Sequence, residues 1–461
     1  MAGILDSLTK IVGPENIKTD AQSFDFYGKD WLKLFQPDPL AIVFPTSTEK
    51  VSEIVKWAIA NKTALVPSGG RTGLSGGAYA GKKEVVVSFD KMGKILGFNE
   101  DDLTVHVQAG VVTEDLQNYA KERDYQYPVD FAARGSSFIG GNIATNAGGI
   151  KVVRYGMTRD WVASLKVVTG TGEILTLNNS LIKNATGYDL RHLFIGSEGI
   201  LGFITEAHMK VTKPAAATQV LLLGLDAMDS IMEVFRIFRK KTKLLAFEML
   251  TEEANQLVLE HKKISPLLGT KTPFYVVLEV EADEGTPEHE DLMGIFEELL
   301  EIGKISDGLL AQNAQQAKDI WAIREDISEA CSVYTPYKND VSVTIAKVPE
   351  FLKTVDATIK GAYPDLRVIW FGHIGDGNLH INILKPDNLK KPEFIERCQK
   401  VDEILFKEIQ NFSGSISAEH GVGITKRPFL KFTRSEAEIE IMRGIKKVFD
   451  PHGIINPGKV L

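Results

Sequence analysis

Three histidines, a glutamate, an arginine and a lysine in the second half of the chain have the types and spacing for polar chemistry. His373 precedes and His380 follows Gly375-Asp-Gly-Asn378, whose composition predicts a tight hairpin turn. If those four residues make the turn, His373 faces His380 and Ile374 faces Leu379. Opposed side chains share a sheet face with Cβ atoms roughly 4.5–5.5 Å apart, close enough for two imidazoles to chelate one ion. Asn382 follows on the face of His380, because strand side chains alternate. Two histidines on a half-exposed hairpin is the simpler reading of that segment alone. Ser417-Ala-Glu-His-Gly-Val-Gly423 changes the balance, because the chain has only nine histidines and His420 sits beside Glu419 in a glycine-flanked loop. Glu419 completes a set of two histidines and one carboxylate that suits Zn²⁺, with Mn²⁺ or Fe²⁺ also fitting. Trp321-Ala-Ile-Arg-Glu-Asp-Ile-Ser328 reads as helix, which puts Arg324 and Ser328 one turn apart on a common face. Arginine holds a carboxylate bidentately, and Lys338 could neutralise the same group. Taken alone, Arg324 reads better as a surface partner of a helix acid.

Glycine clusters supply a second kind of site. Pro67-Ser-Gly-Gly-Arg-Thr-Gly-Leu-Ser-Gly-Gly77 follows a strand, and consecutive glycines let backbone N–H groups turn inward around an anion such as a diphosphate. The spacing Gly70-x-x-Gly73-x-x-Gly76 is not the dinucleotide fingerprint. From Gly76 to Lys82 the nucleotide-triphosphatase loop is matched, but Lys83 stands where its hydroxyl should be. A second cluster runs from Arg134 to Gly149, with Ile139 and Ile143 among its glycines, and a third is Gly196-Ser-Glu-Gly-Ile-Leu-Gly202. Alone, the first cluster reads almost as well as a plain glycine-rich surface loop; backbone packed closely against a buried polar ligand accounts for the second more economically, and the third leads its glycines straight into a strand.

The elements that must position these residues are legible in outline. Val51, Ile54, Val55, Ala58 and Ile59 predict an amphipathic helix with Ser47 as its cap. Strands are expected at 64–67, 84–89, 103–108, 165–169, 174–177 and 202–211, with a helix capped by Thr113 running to Lys121. Lys213-Pro-Ala-Ala-Ala-Thr218 is the best boundary. Beyond it, strands at 219–225, 244–250, 274–280 and 340–345 alternate with helices at 229–239, 251–261, 288–302, 313–332, 393–411 and 435–448. The formal net charge of −8 argues against a nucleic-acid-gripping protein. Two cysteines, Cys331 and Cys398, cannot ligate an iron–sulfur cluster and fit a reducing cytoplasm. No apolar run approaches a spanning helix, and the N-terminal stretch with Asp6 lacks an export signal's basic region.

The two long glycine loops, the Gly-Ser-Glu-Gly-Ile-Leu-Gly segment and Phe449-Asp-Pro-His-Gly-Ile-Ile-Asn-Pro-Gly-Lys459 together resemble the FAD-linked oxidases of the vanillyl-alcohol oxidase and p-cresol methylhydroxylase type. Among these, the chain is most similar to the D-2-hydroxyacid dehydrogenases (D-lactate, D-2-hydroxyglutarate and glycolate-oxidase-like). The resemblance implies an α+β fold in which a two-part FAD-binding domain, 1–213, is joined to an α+β substrate and metal (cap) domain with an antiparallel sheet, 214–448. Residues 449–461 would return to the FAD domain. It implies FAD against Pro67, Ser68, Gly69, Gly70, Arg71, Thr72, Gly73, Leu74, Ser75 and Gly76. It further implies flavin contacts from Pro128, Gly135, Ser136, Ile139, Gly140, Gly141, Asn142, Thr145, Gly148, Gly149, Tyr155, Glu198, Gly199, Ile200, Ile204 and Asn456. Some relatives carry FAD covalently on a histidine where Arg71 stands here, so non-covalent FAD is expected. The resemblance supports His373, His380 and Glu419 as metal ligands, His420 as catalytic, and Arg324 and Lys338 as substrate-binding. Relatives often have threonine at Ser328, and the Arg-to-Lys spacing runs one residue shorter here.

These readings combine into oxidation of a D-2-hydroxy acid to the 2-keto acid. Arg324, Lys338 and Asn382 hold the carboxylate, the metal acidifies the 2-hydroxyl, His420 takes its proton and hydride passes to flavin N5. Without iron–sulfur cysteines, the electrons go to a partner such as an electron-transfer flavoprotein or a quinone; a homodimer is allowed. An O₂-using oxidase and a non-redox metal hydrolase are the other readings.

Overall fold

The structure is a computed structural model that describes residues 2–461 apart from Lys33 and Glu284. It is α+β, as expected, and divides into two compact units. The first comprises Met1–Gly148, Met157–Pro214 and Glu419–Leu461; the second comprises Gly149–Gly156 and Ala215–Ala418.

The first unit carries two sheets. Strands β1 (Ile17–Lys18), β2 (Ala41–Val43), β3 (Leu65–Ser68) and β4 (Val85–Ser88) lie in the order β1-β2-β4-β3, with β2 and β3 both parallel to β4. The helix Thr48–Asn61 forms where its apolar spacing predicts. Ser47 Oγ accepts the Lys50 N–H at 3.3 Å, and Val51, Ile54, Val55 and Ala58 are fully buried against this sheet. Strands β5 (Ile95–Asn99), β6 (Thr104–Gln108), β7 (Val162–Thr169), β8 (Ile174–Leu177) and β9 (Gly202–Lys210) make an antiparallel sheet, order β5-β6-β9-β7-β8. Its apolar face packs on Leu116, Ile139, Ile143 and Phe194.

The second unit is built on one antiparallel sheet. Its strands are β10 (Thr218–Leu225), β11 (Lys243–Thr251), β12 (Phe274–Glu281), β13 (Asp307–Leu310), β14 (Tyr337–Ser342), β15 (Arg367–Gly372) and β16 (Asn378–Leu384), in the order β13-β10-β12-β11-β15-β16-β14. The helices Glu252–Lys262 and Ala314–Glu325 bury Leu257, Val258, Ile320 and Ile323 against one face, with Leu250, Val277, Ile369 and Phe371 beneath them.

Several expectations are corrected. Residues 419–448, expected in the cap, belong to the first unit: Ile445 and Phe449 of the helix Glu436–Phe449 pack into its core. Gly149–Gly156 joins the second unit, where Lys151 pairs with Glu279 at 3.0 Å. The long helix expected over 313–332 is two, Ala314–Glu325 and Ile327–Ser332, because Asp326 ends one and begins the other. The strand expected at 340–345 is Tyr337–Ser342, its end set where Val343 N–H turns to Gly377 O. A helix at Val348–Ala362 was not anticipated. Its Pro349 near the start and its buried Val348, Phe351, Leu352, Val355 and Ile359 are the signal that announces it.

Candidate active site

In the first unit, β3 delivers the first glycine loop, and the other glycine segments close on it. A Cβ on Gly70 would lie 2.1 Å from Ser136 O and 2.9 Å from Ser137 Cα, so only glycine lets these loops touch. Gly199, at φ +70°, is pressed toward Pro67 with only 2.7 Å for a Cβ to Cγ. Asn456, fully buried, donates from Nδ2 to Gly77 O and Glu198 O, both at 3.0 Å. Its N–H bonds Leu65 O while Leu65 N–H bonds Ile454 O, so the C-terminal segment extends the sheet beside β3. Among the described residues, the backbone N–H groups from Gly69 to Leu74 donate to no backbone carbonyl outside regular helices and strands, and a Cβ on Gly141 would meet nothing within 4 Å. A glycine-rich loop whose N–H groups are not taken up in this way can offer them to a diphosphate as a cradle.

Not every expected flavin residue presents a side chain to that cradle. Ile139, Ile200 and Ile204 are packed in the core. Gly140 is needed for close approach to Ala109, whose Cβ would lie 2.6 Å from an added one. The Asn142 amide donates to Thr113 Oγ1 at 2.6 Å, and Thr145 Oγ1 donates to Gly141 O. Pro128 and Gly148 are buried, while Gly135 and Ser136 are exposed. Gly149 and Tyr155 lie in the second unit. Arg71 makes a bidentate pair with Asp90 at 2.9 and 3.1 Å and stacks on Phe26 and Tyr27. Gly70→Ala should therefore yield a protein with markedly less bound FAD, read from the flavin absorbance per chain; full occupancy would contradict the loop contact.

The His420 loop is fastened to this same cradle. Ser75 Oγ donates to His420 O at 2.9 Å and is 3.0 Å from Gly421 O. The half-buried Glu198 accepts the N–H groups of Val422 at 2.7 Å and Gly423 at 2.8 Å through its carboxylate. Burial raises its pKa, and those two N–H bonds oppose the shift. Asp30, which the sequence did not single out, accepts the Gly76 N–H at 2.8 Å, and burial pushes its carboxyl up to about 6. A raised carboxyl pKa means that ionisation costs folding free energy as pH rises from about 4 to about 6. The melting temperature of Asp30→Asn relative to the parent should rise across that window and level off above it. A pH-independent difference would refute this.

In the second unit, the hairpin differs from the expected register. Phe371, not His373, pairs with His380, and Asn378 is in β16 rather than in the turn. His373 stands just beyond β15, where its carbonyl accepts the N–H groups of Asp376 and Asn378. A shift of two residues preserves the face, so the imidazoles still meet, with ring centroids 5.2 Å apart and nearly perpendicular. Each ring has a buried carboxylate at Nδ1. His373 Nδ1 lies 2.8 Å from Glu248 on β11, and His380 Nδ1 lies 3.7 Å from Asp340 on β14. A carboxylate placed as Glu248 is orients an imidazole for metal binding through its other nitrogen. Asp340 also accepts the Ala418 N–H at 3.1 Å, which holds the residue bonded to Glu419.

The same face carries the substrate candidates. Lys338 is the cross-strand partner of Asn382, as Asp340 is of His380. Crowding by protein holds the Lys338 pKa below the usual lysine range, although the side chain still reaches solvent. Arg324 is no surface partner of a helix acid: it is 6% exposed, packs over Phe371 at 4.9 Å, and its Nη2 sits 2.8 Å from Glu248. Arg324 Nε and Nη2 and Asn382 Nδ2 are buried donors without an aligned acceptor among the described residues. Unsatisfied buried donors of this kind suit a carboxylate ligand. Ser328 lies beyond the break at Asp326 and is exposed, so the shared face expected with Arg324 is not formed. Glu248 and Asp340 are the polar residues that sequence reasoning missed. Glu248 lies in a run that reads as pure core strand, and only its charge amid Phe247 and Met249 marks it.

The first unit thus combines a partly parallel sheet, an antiparallel sheet and glycine-rich loops, and the second is built on one antiparallel sheet. A model described as "FAD binding domain" matches residues 39–178, and one described as "FAD linked oxidases, C-terminal domain" matches residues 214–460. The chain belongs to the FAD-linked oxidase family. It is similar to a "D-2-hydroxyglutarate dehydrogenase" of Stutzerimonas stutzeri (strain A1501), 55% identical over 99% of this chain and 98% of the relative. It is likewise similar to the mitochondrial protein of that name from Danio rerio, 35% identical over 97% of this chain and 83% of the relative. In fold it is like p-cresol methylhydroxylase with substrate bound (TM-score 0.76, 14% identity, 100% of this chain and 96% of that one). It is also like an alkyldihydroxyacetonephosphate synthase (TM-score 0.76, 19% identity, 99% and 84%).

Proposed function

We propose that this protein oxidises a D-2-hydroxy acid of the D-2-hydroxyglutarate type to the 2-keto acid. The observation that carries the reading lies in the second unit, where a sheet face bears the paired imidazoles and a buried helix arginine, packed over Phe371 of that face, has an Nε without an acceptor among the described residues. The names of the similar dehydrogenases point to the same substrate class.

FAD, when bound, supplies a two-electron acceptor, and a divalent ion supplies a Lewis acid. FAD would lie on the Gly69–Gly76 loop, without a covalent link because Arg71 offers no nucleophile there. His373, His380 and Glu419 would hold the ion, Zn²⁺ being the best match to two imidazoles and one carboxylate. Arg324 grips the substrate carboxylate, Lys338 adds a second positive charge and Asn382 donates an amide N–H. His420 accepts the 2-hydroxyl proton, since imidazole is the side chain whose pKa lies nearest working pH. The electrons pass on to a protein flavin or a quinone. No helix among the described residues is long and apolar enough to cross a membrane; we place the protein in the cytoplasm.

The test is a visible spectrum followed by anaerobic addition of D-2-hydroxyglutarate, D-lactate, D-malate or glycolate. A yellow protein bleached most readily by D-2-hydroxyglutarate is expected. A protein that takes up no FAD, or a flavin that none of the four acids reduces, would overturn the proposal.

A further inference from the structure

Glu248 touches more than the His373 ring, for it also meets Arg324. It is 1% exposed in the middle of β11, flanked by Phe247 and Met249. A carboxylate so placed is costly to bury and persists only with partners. Its partners come from two different elements. His373 Nδ1, beyond the end of β15, lies 2.8 Å from each of its oxygens, and Arg324 Nη2, from the helix Ala314–Glu325, lies 2.8 Å from Oε2. The turn that carries His373 is docked on this strand, because Gly375 N–H donates to Phe247 O at 3.1 Å. A side chain on Gly375 would come within 3.1 Å of Phe247 Cβ. The contacts then close on themselves. Arg324 packs over Phe371 at 4.9 Å, the Phe371 ring meets His380 at 4.9 Å, and His380 meets His373 at 5.2 Å. Every member of this ring belongs to the second unit.

We propose that Glu248 is a positioning residue that couples the metal ligand His373 to the substrate-binding Arg324. This rests on the metal and substrate reading given above and deepens it. By accepting the Nδ1–H, the carboxylate selects the tautomer whose lone pair sits on Nε2, the form that binds a cation. By pairing with Arg324, it holds the guanidinium plane across Phe371, so one anion sets the aim of both groups.

The experiment measures Zn²⁺ affinity of the metal-stripped, FAD-loaded full chain by competition with a chromophoric chelator, beside KM and kcat for D-2-hydroxyglutarate in the Zn²⁺-replete enzyme. Glu248→Gln should weaken Zn²⁺ binding about 10–100-fold and raise KM, and Glu248→Asp should recover part of both. A purely structural role would lower melting temperature without the recovery in metal affinity. Glu248→Gln protein that binds Zn²⁺ within about threefold of the parent overturns the inference. Should that variant not fold, Glu248→Asp with unchanged Zn²⁺ affinity and KM does the same. A parent protein that binds no Zn²⁺ overturns the metal reading itself, a result distinct from parent binding that Glu248→Gln leaves intact.

Discussion

His420→Ala should lose about 10²–10⁴-fold in turnover while keeping its FAD. The loss is that of a general base. The retention follows from how the loop is held: Ser75 grips the His420 carbonyl and Glu198 grips the next N–H groups, so the imidazole can be removed without releasing the backbone. Steady-state rate and flavin absorbance per chain, taken on the same sample, separate the two effects. Turnover within a factor of about three of the parent would remove His420 from proton transfer. Loss of flavin with turnover would show instead that the side chain supports the cradle.

Prolonged chelation should lower activity by about 10²–10³-fold, as expected for loss of a Lewis acid worth several kcal/mol, and added Zn²⁺ or Mn²⁺ should restore it. The flavin absorbance per chain should be unchanged, because none of the three expected ligands lies in the glycine loop from Gly69 to Gly76. A fully active enzyme with less than a tenth of an equivalent of metal would refute the Lewis-acid role; that threshold is about the contamination a ~10-fold activity loss could conceal.

The glycine loops were readable because glycine tolerates what other residues do not. Gly70 and Gly199 permit approaches that no side chain survives, so such contacts leave a mark in the sequence. The imidazole pair was readable because alternation fixes the face even when register is uncertain; a slip of two residues moved His380 from His373 to Phe371 and changed nothing about which side it faced. Glu248 was not readable. A single acid inside a hydrophobic strand acquires meaning only from a helix and a turn far along the chain, and no local pattern encodes such a meeting. The domain limit at 448 failed for a related reason. Residues 419–448 follow the second unit without a composition break, and their ties to the first unit are core packing by Ile445 and bonds from Ser75 and Glu198, hundreds of positions earlier. The break at Asp326 escaped because its flanking residues keep helical spacing on both sides.

The pairing of residues 454–456 with Leu65 has a bearing on biogenesis. A growing polypeptide emerges in order, and the strand beginning at Leu65 must wait for nearly four hundred further residues before its last neighbour leaves the ribosome. The sheet beneath the first glycine loop is thereby completed only after the intervening unit has been synthesised.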